Sequence, residues 1–96
     1  MLPDRIKELR LQSGLSQAEL ARRLNVTRSS VNAWEMGISA PTTQYVVELA
    51  GLFHVSSDYL LGISNEKQLN LSEFGEEEIR LIYHLIDYFV SNRKEK

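Results

Sequence analysis

Cysteine is absent from all 96 residues, and that removes two classes of small protein at once. There is no disulfide framework to staple a weak core, and no thiolate cluster to hold a structural metal. No apolar run approaches the roughly 18 residues that a membrane span needs. The opening stretch, MLPDRIKELR, is a charged helical pattern without the apolar segment of a signal peptide. Glycine-rich phosphate loops, paired carboxylates and nucleophile–base arrangements are also missing, so nothing supplies an enzyme's chemistry. His54 and His84 stand alone, without a second ligand at metal spacing, so neither a metal nor another cofactor is expected. Internal repeats and low-complexity stretches do not occur. The simplest reading is a cytoplasmic protein whose core must be efficient, because it has no covalent help.

Excess charge of one sign is lacking too. The formal net charge is −2, which argues against indiscriminate binding of polyanions. Its distribution is uneven: residues 1–62 are neutral, and residues 63–96 carry the whole deficit. The two stretches therefore present different kinds of surface. Composition is otherwise that of an ordinary globular chain, 43% hydrophobic and 25% charged.

Apolar residues recur at three and four throughout, and strand-like alternation is absent, which predicts an all-α fold. A first helix is expected from about Pro3 to Ser13, with Leu2, Ile6 and Leu9 inward and Gly14 closing it in a left-handed conformation. A second opens on Ser16 and Glu19, an S-x-x-E capping box, flanked by the staple pair Leu15 and Leu20. Its inward face is Leu20, Ala21 and Leu24. Asn25 accepts the left-handed turn that follows. Val26 points inward, and Thr27 caps a third helix that runs to about Met36. A fourth follows Pro41 through Phe53, burying Thr43, Val46, Leu49, Ala50 and Phe53. Ser56 caps a short fifth, in which Tyr59, Leu60 and Leu61 pack before Gly62.

Residues 63–74 (ISNEKQLNLSEF) read as a polar linker. From about Gly75 to Asn92 a last helix carries Ile79, Ile82, Tyr83, Ile86, Phe89 and Val90 at helical spacing. Leu81, Leu85 and Tyr88 widen that face beyond what one neighbouring helix covers. Glu76, Glu77 and Glu78 in its first turn, with Arg93 and Lys94 at its end, match the helix dipole. The division expected is thus 1–62 as one domain, 63–74 as linker, and 75–96 as a C-terminal helix.

Two capped helices whose starting signals lie only eleven positions apart, at Ser16 and Thr27, form a rigid bracket. Such a bracket serves the helix-turn-helix, where one helix crosses the DNA backbone and the next enters the major groove. In the third helix Val31 and Trp34 are spaced to reach the core. That leaves Arg28, Ser29, Asn32 and Ala33 on the opposite, exposed face, mostly short or polar, so that a groove can approach closely. Trp34 is accordingly a core residue, not a stacking platform for bases.

SQAELARRLNVTRSSVNAWEMG, then ISAP, then VVELAGLFHVSSDYLLG resembles the Cro/C1-type (XRE) helix-turn-helix repressors of bacteria and their phages. The likeness covers residues 5 to 62, and implies a five-helix, lambda-repressor-like DNA-binding domain. It implies base contacts from Arg28, Ser29, Asn32 and Ala33. Phosphate contacts are expected from Gln17, Thr27, Ser39, Thr42 and Arg22. Gln17 is also expected to brace the first side chain of the recognition helix, and Arg10 with Glu35 to form a buried ion pair tying the first helix to the third. The loop from Ile38 to Thr43 departs from the pattern, since it has no basic residue. Arg28 is the strongest candidate on chemistry alone. A guanidinium can pair with guanine O6 and N7, worth about 1–3 kcal/mol of discrimination, whereas a cation at a helix start opposes the dipole.

The wide apolar face of the last helix must be covered by something. Pairing with a second copy through Ile79, Ile82, Tyr83, Ile86, Phe89 and Val90 suits an operator of two half-sites in double-stranded DNA. Folding back on the body, or pairing with another protein such as an inhibitor or antagonist, is the alternative. A dimeric, sequence-specific transcription regulator that represses by occupancy is therefore the leading reading. An antitoxin-like interaction module, its last helix bound to a partner, is the second.

Overall fold

The computed structural model describes residues 1–67 and 71–94. Among these residues six helices follow one another: α1 Leu2–Gln12, α2 Gln17–Leu24, α3 Arg28–Glu35, α4 Thr43–Phe53, α5 Ser57–Leu61 and α6 Glu76–Lys94. The chain is all-α, as its periodicity predicts. Short polar residues start four of these helices. The Ser16, Thr27, Thr42 and Ser56 side chains each accept the N–H of the residue three positions on, which satisfies a donor that has no helical acceptor. The capping box at Ser16 and Glu19 is complete in both directions. Those bonds from the backbone and hydroxyl of Ser16, aided by Arg22 and Arg23, hold the Glu19 carboxyl below its ordinary range despite a small opposing desolvation.

Helix ends are governed by the left-handed region. Asn25 has φ 59° and ψ 44°, as its side chain permits, and turns the chain from α2 into α3 within three residues. His54 does the same after α4, at φ 57°. That position carried no expectation, although histidine is among the residues that tolerate it best.

One core holds α1 to α5 together. Ile6, Leu20, Val31, Leu49 and Leu60, one from each helix, are its fully buried centre. Trp34 lies in the same core, its ring 5.6 Å from that of Tyr45. Arg5 fastens α1 to α5 in a way the sequence did not signal. Its guanidinium sits 3.8 Å above the Tyr59 ring, and its Nη1 donates to the Tyr59 carbonyl at 2.9 Å. Among the described residues no buried polar side-chain atom lacks a partner.

Two expected core positions are exposed instead. Thr43 lies in the first turn of α4, where the buried Pro41 already closes that end of the core. Leu61, the last residue of α5, is 40% exposed, because Tyr59 and Leu60 take the inward face of so short a helix.

α6 behaves differently. Its large apolar residues Leu81, Tyr83, Leu85, Ile86, Tyr88, Phe89 and Val90 are all 44% exposed or more, while Ile79 and Ile82 are half-buried. The radius of gyration, 15.4 Å, exceeds the ~12–13 Å of a compact chain this long, as expected when one helix projects. Described residues of the stretch before α6 touch the body. Lys67 Nζ donates to Gln12 Oε1 at 2.6 Å, and the Phe74 ring lies 5.5 Å from that of His54. Of the expected linker, residues 68–70 lie outside the described residues, as do 95 and 96 at the chain's end and the side chain of Lys94.

Candidate nucleic-acid interface

α3 is anchored on one side and open on the other. Val31, Trp34 and Glu35 are buried. Arg28, Ser29 and Asn32 are exposed and together line one shallow, open concavity. Ala33 sits at the edge of this face and is half-buried, less open than its spacing predicts. The loop that follows is fastened to this residue, the N–H groups of Ile38 and Ser39 both donating to the Ala33 carbonyl.

A hydrogen-bonded path ties this face to the interior. Arg10 on α1 donates through Nε to Glu35 Oε2 at 2.6 Å and through Nη2 to Oε1 at 3.0 Å, while its Nη1 donates to the Leu15 carbonyl at 2.9 Å. The pair is two-pronged, the geometry that makes guanidinium–carboxylate contacts strong. Gln17, the first residue of α2, joins it. Its Nε2 donates to Glu35 Oε1 at 3.1 Å and to Asn32 Oδ1 at 3.2 Å. The resemblance implied a brace on the first side chain of α3; the amide reaches the middle of the helix instead. Oδ1 of Asn32 is occupied by Gln17, while its amide nitrogen makes no hydrogen bond among the described residues.

Ionisation follows from this arrangement. Burial pushes the Glu35 carboxyl up, but hydrogen bonds from Arg10 and Gln17, with the charges of Arg10 and Lys7, outweigh it and hold the group below the ordinary range. Arg10 is correspondingly held more firmly protonated, first by its bond to Glu35. The expected ion pair of Arg10 and Glu35 is thus present, and both residues are buried.

The expected phosphate-contacting residues do not form one cluster of cations. Both N–H groups of the Gln17 side chain are engaged, so its free donor is the backbone N–H at the start of α2. Thr27 Oγ1 accepts the Ser30 N–H at 3.1 Å and shares a hydroxyl contact of 3.0 Å with Ser30 Oγ. Thr42 caps α4, and Ser39 is exposed in the loop after α3. Arg22 lies in the last turn of α2, at the opposite end from Gln17. Among the described residues no three metal-ligating side chains gather, and no helix is long and apolar enough to cross a membrane.

Comparison with known proteins meets the same region. A family model described as "Helix-turn-helix" matches residues 6–60. The HTH-type transcriptional regulator ImmR of Bacillus subtilis is 38% identical over 61 residues, covering 64% of this chain and 48% of the relative. The HTH-type transcriptional regulator YqaE of the same organism is 37% identical over 68 residues, covering 70% and 59%. The chain therefore spans about half to three-fifths of the length of these two relatives. A crystal structure of a transcriptional regulator from Listeria innocua superposes with a TM-score of 0.64 at 29% identity, covering 92% of this chain and 91% of that one.

Proposed function

We propose that this chain, which belongs to the helix-turn-helix family of the Cro/C1 type, is a DNA-binding transcription regulator that places α3 in the major groove as one half of a homodimer. It would act as a repressor by occupying a two-part operator in the cytoplasm. The observation that carries the reading is the exposed set Arg28, Ser29 and Asn32 on a helix whose other side is locked into the core. Base recognition needs side chains presented on a rigid support, because a loosely held contact cannot discriminate between bases.

In this reading Arg28 pairs with a guanine, and the amide nitrogen of Asn32 donates to a purine N7 or a thymine O4. Ser29 and the edge of Ala33 complete the approach. The N–H groups at the start of α2, with the hydroxyls of Thr27, Ser39 and Thr42 and the guanidinium of Arg22, meet phosphates. No catalytic step and no cofactor enter it. Residues 1–62 form the DNA-binding unit, residues 63–74 lead out of it, and α6 supplies the dimer contact through Ile79, Ile82, Tyr83, Ile86, Phe89 and Val90.

Selection of bound sequences from a random DNA pool tests the proposal. A palindromic site with halves about 34–36 Å apart is expected. Few cations face the groove, so roughly four to six phosphates neutralised per dimer give log K against log[salt] a slope of about −4 to −5. No enriched site, or a slope near zero on the best sequence, would end the reading. The open face of α6 favours a second reading, an antitoxin-like module that docks a different protein. A chain that stays monomeric alone and binds no DNA sequence selectively would support it.

A further inference from the structure

Resting on the dimer reading above, we infer that α6 meets α6 of a second copy in antiparallel orientation, with Glu78 of each chain against Arg93 of the other.

The sequence of the helix sets the problem. Ile79, Ile86 and Arg93 recur every seven residues, and Ile82 with Phe89 forms the neighbouring row. Arg93 therefore continues the centre of the apolar stripe instead of lying on the solvent side. In a parallel pair equivalent residues of such a stripe face one another. Arg93 would then meet its own copy, and the acidic first turn, Glu76 to Glu78, would meet another acidic first turn. Both ends of a parallel pair are repulsive.

Reversing one helix removes both conflicts. With Ile82 set against Ile86 and Ile79 against Phe89, the last turn of each helix lies beside the first turn of the other. Helical side chains lean toward the N-terminus of their own helix. Arg93 is thus carried back over Phe89 and Val90, toward Glu78 of the second copy. Glu78 already accepts the Gly75 N–H through Oε1 at 2.9 Å, which leaves its other oxygen for the incoming guanidinium. The dipoles of the two helices also oppose each other in this orientation.

Spacing supports the same choice. At about 1.5 Å of rise per residue, an antiparallel pair in this register holds the two Glu76 positions roughly 24 Å apart along the axis. A parallel pair holds them about 8–10 Å apart. Two bodies that must reach half-sites about 34–36 Å apart are better served by the wider separation.

The absence of cysteine makes the test direct. Glu78→Cys and Arg93→Cys chains of different length are mixed, refolded together and oxidised gently, with the solution mass of the untreated chain measured beside them. A dominant mixed disulfide between the two variants is the expected result. Homodisulfides at both positions with little mixed product would establish a parallel pair and overturn the orientation, leaving the dimer intact. A dimeric mass with no crosslink would place the interface elsewhere and overturn it too. A monomeric mass would sink the underlying dimer reading. Charge reversal supplies a second readout. Glu78→Arg or Arg93→Glu alone should raise the dimer Kd roughly threefold to tenfold, and the two in one chain should restore it. Failure of the double variant to recover would overturn the pairing of these two residues.

Discussion

Residues 1–62 and α6 are both amphipathic helix by sequence, yet their apolar residues meet opposite fates. In the body, apolar positions from five short helices converge so fully that Ile6, Leu20, Leu49, Leu60 and Val31 lose all contact with solvent. In α6, a longer helix with a wider apolar face, Leu81 remains 68% exposed and Tyr88 61%. Length and hydrophobicity do not explain the contrast. What differs is what lies opposite: four helices of 8 or 11 residues and one of 5, turned sharply on themselves, supply one another with partners, whereas among the described residues most of the apolar face of α6 stays open to solvent.

The strongest way to break this comparison is to separate the two regions. Truncation after Gly62 should leave a folded monomer, because the body's core draws on no residue of α6. Operator affinity should fall by about 10²–10⁴-fold, the usual worth of linking two binding units. Circular dichroism and mobility shift on one sample decide the point. An unfolded truncation product would show that the body depends on α6 after all.

Next in size is Arg10→Ala, which strands the Glu35 carboxylate in the core. Removing one partner of a buried pair costs about 3–5 kcal/mol, so denaturant unfolding of the body should move by that amount. Self-association of α6, measured by sedimentation, should stay unchanged wherever the variant is folded. Arg28→Ala sharpens the comparison from the other side, since it should alter neither stability nor dimer mass. It should relax preference at one base pair per half-site by about 1–3 kcal/mol across single-base operator variants. Uniform weakening would instead assign Arg28 to phosphate.

Acid gives the smallest effect. The Glu35 carboxyl is lowered from an ordinary value of 4.5, so its contribution to stability is complete above that pH. It is lost as pH falls through the folded-state value. Glu35→Gln should flatten the pH dependence of unfolding in this window. An unchanged slope would shift the acid sensitivity to other carboxylates.

Much of this was legible in the residues, for reasons that are local. Ser16, Thr27 and Ser56 announce helix starts through chemistry that acts three residues away, and Asn25 announces its turn alone. The Arg10–Glu35 pair came from resemblance, and nothing in either side chain's spacing would have found it. Periodicity points Thr43 and Leu61 inward, but it describes the face of a helix and not where the neighbouring helix stops. The link from Gln17 to Asn32 was out of reach for a related reason. It depends on how closely the starts of α2 and α3 approach in space, and residues 15 positions apart do not declare that in one sequence.

The brace on Asn32 carries a consequence for how such a protein acquires a new target. Arg28 and Ser29 make no side-chain hydrogen bond among the described residues, so either can be exchanged without disturbing anything behind it. Asn32 is held by Gln17, which is held in turn by Glu35. Retargeting therefore has two independent letters and one coupled pair, and a change at 32 that ignores 17 leaves one N–H of the Gln17 amide without its acceptor, the other staying on Glu35. Variants redirected to other operators should accordingly alter 28 and 29 singly, but 17 and 32 together.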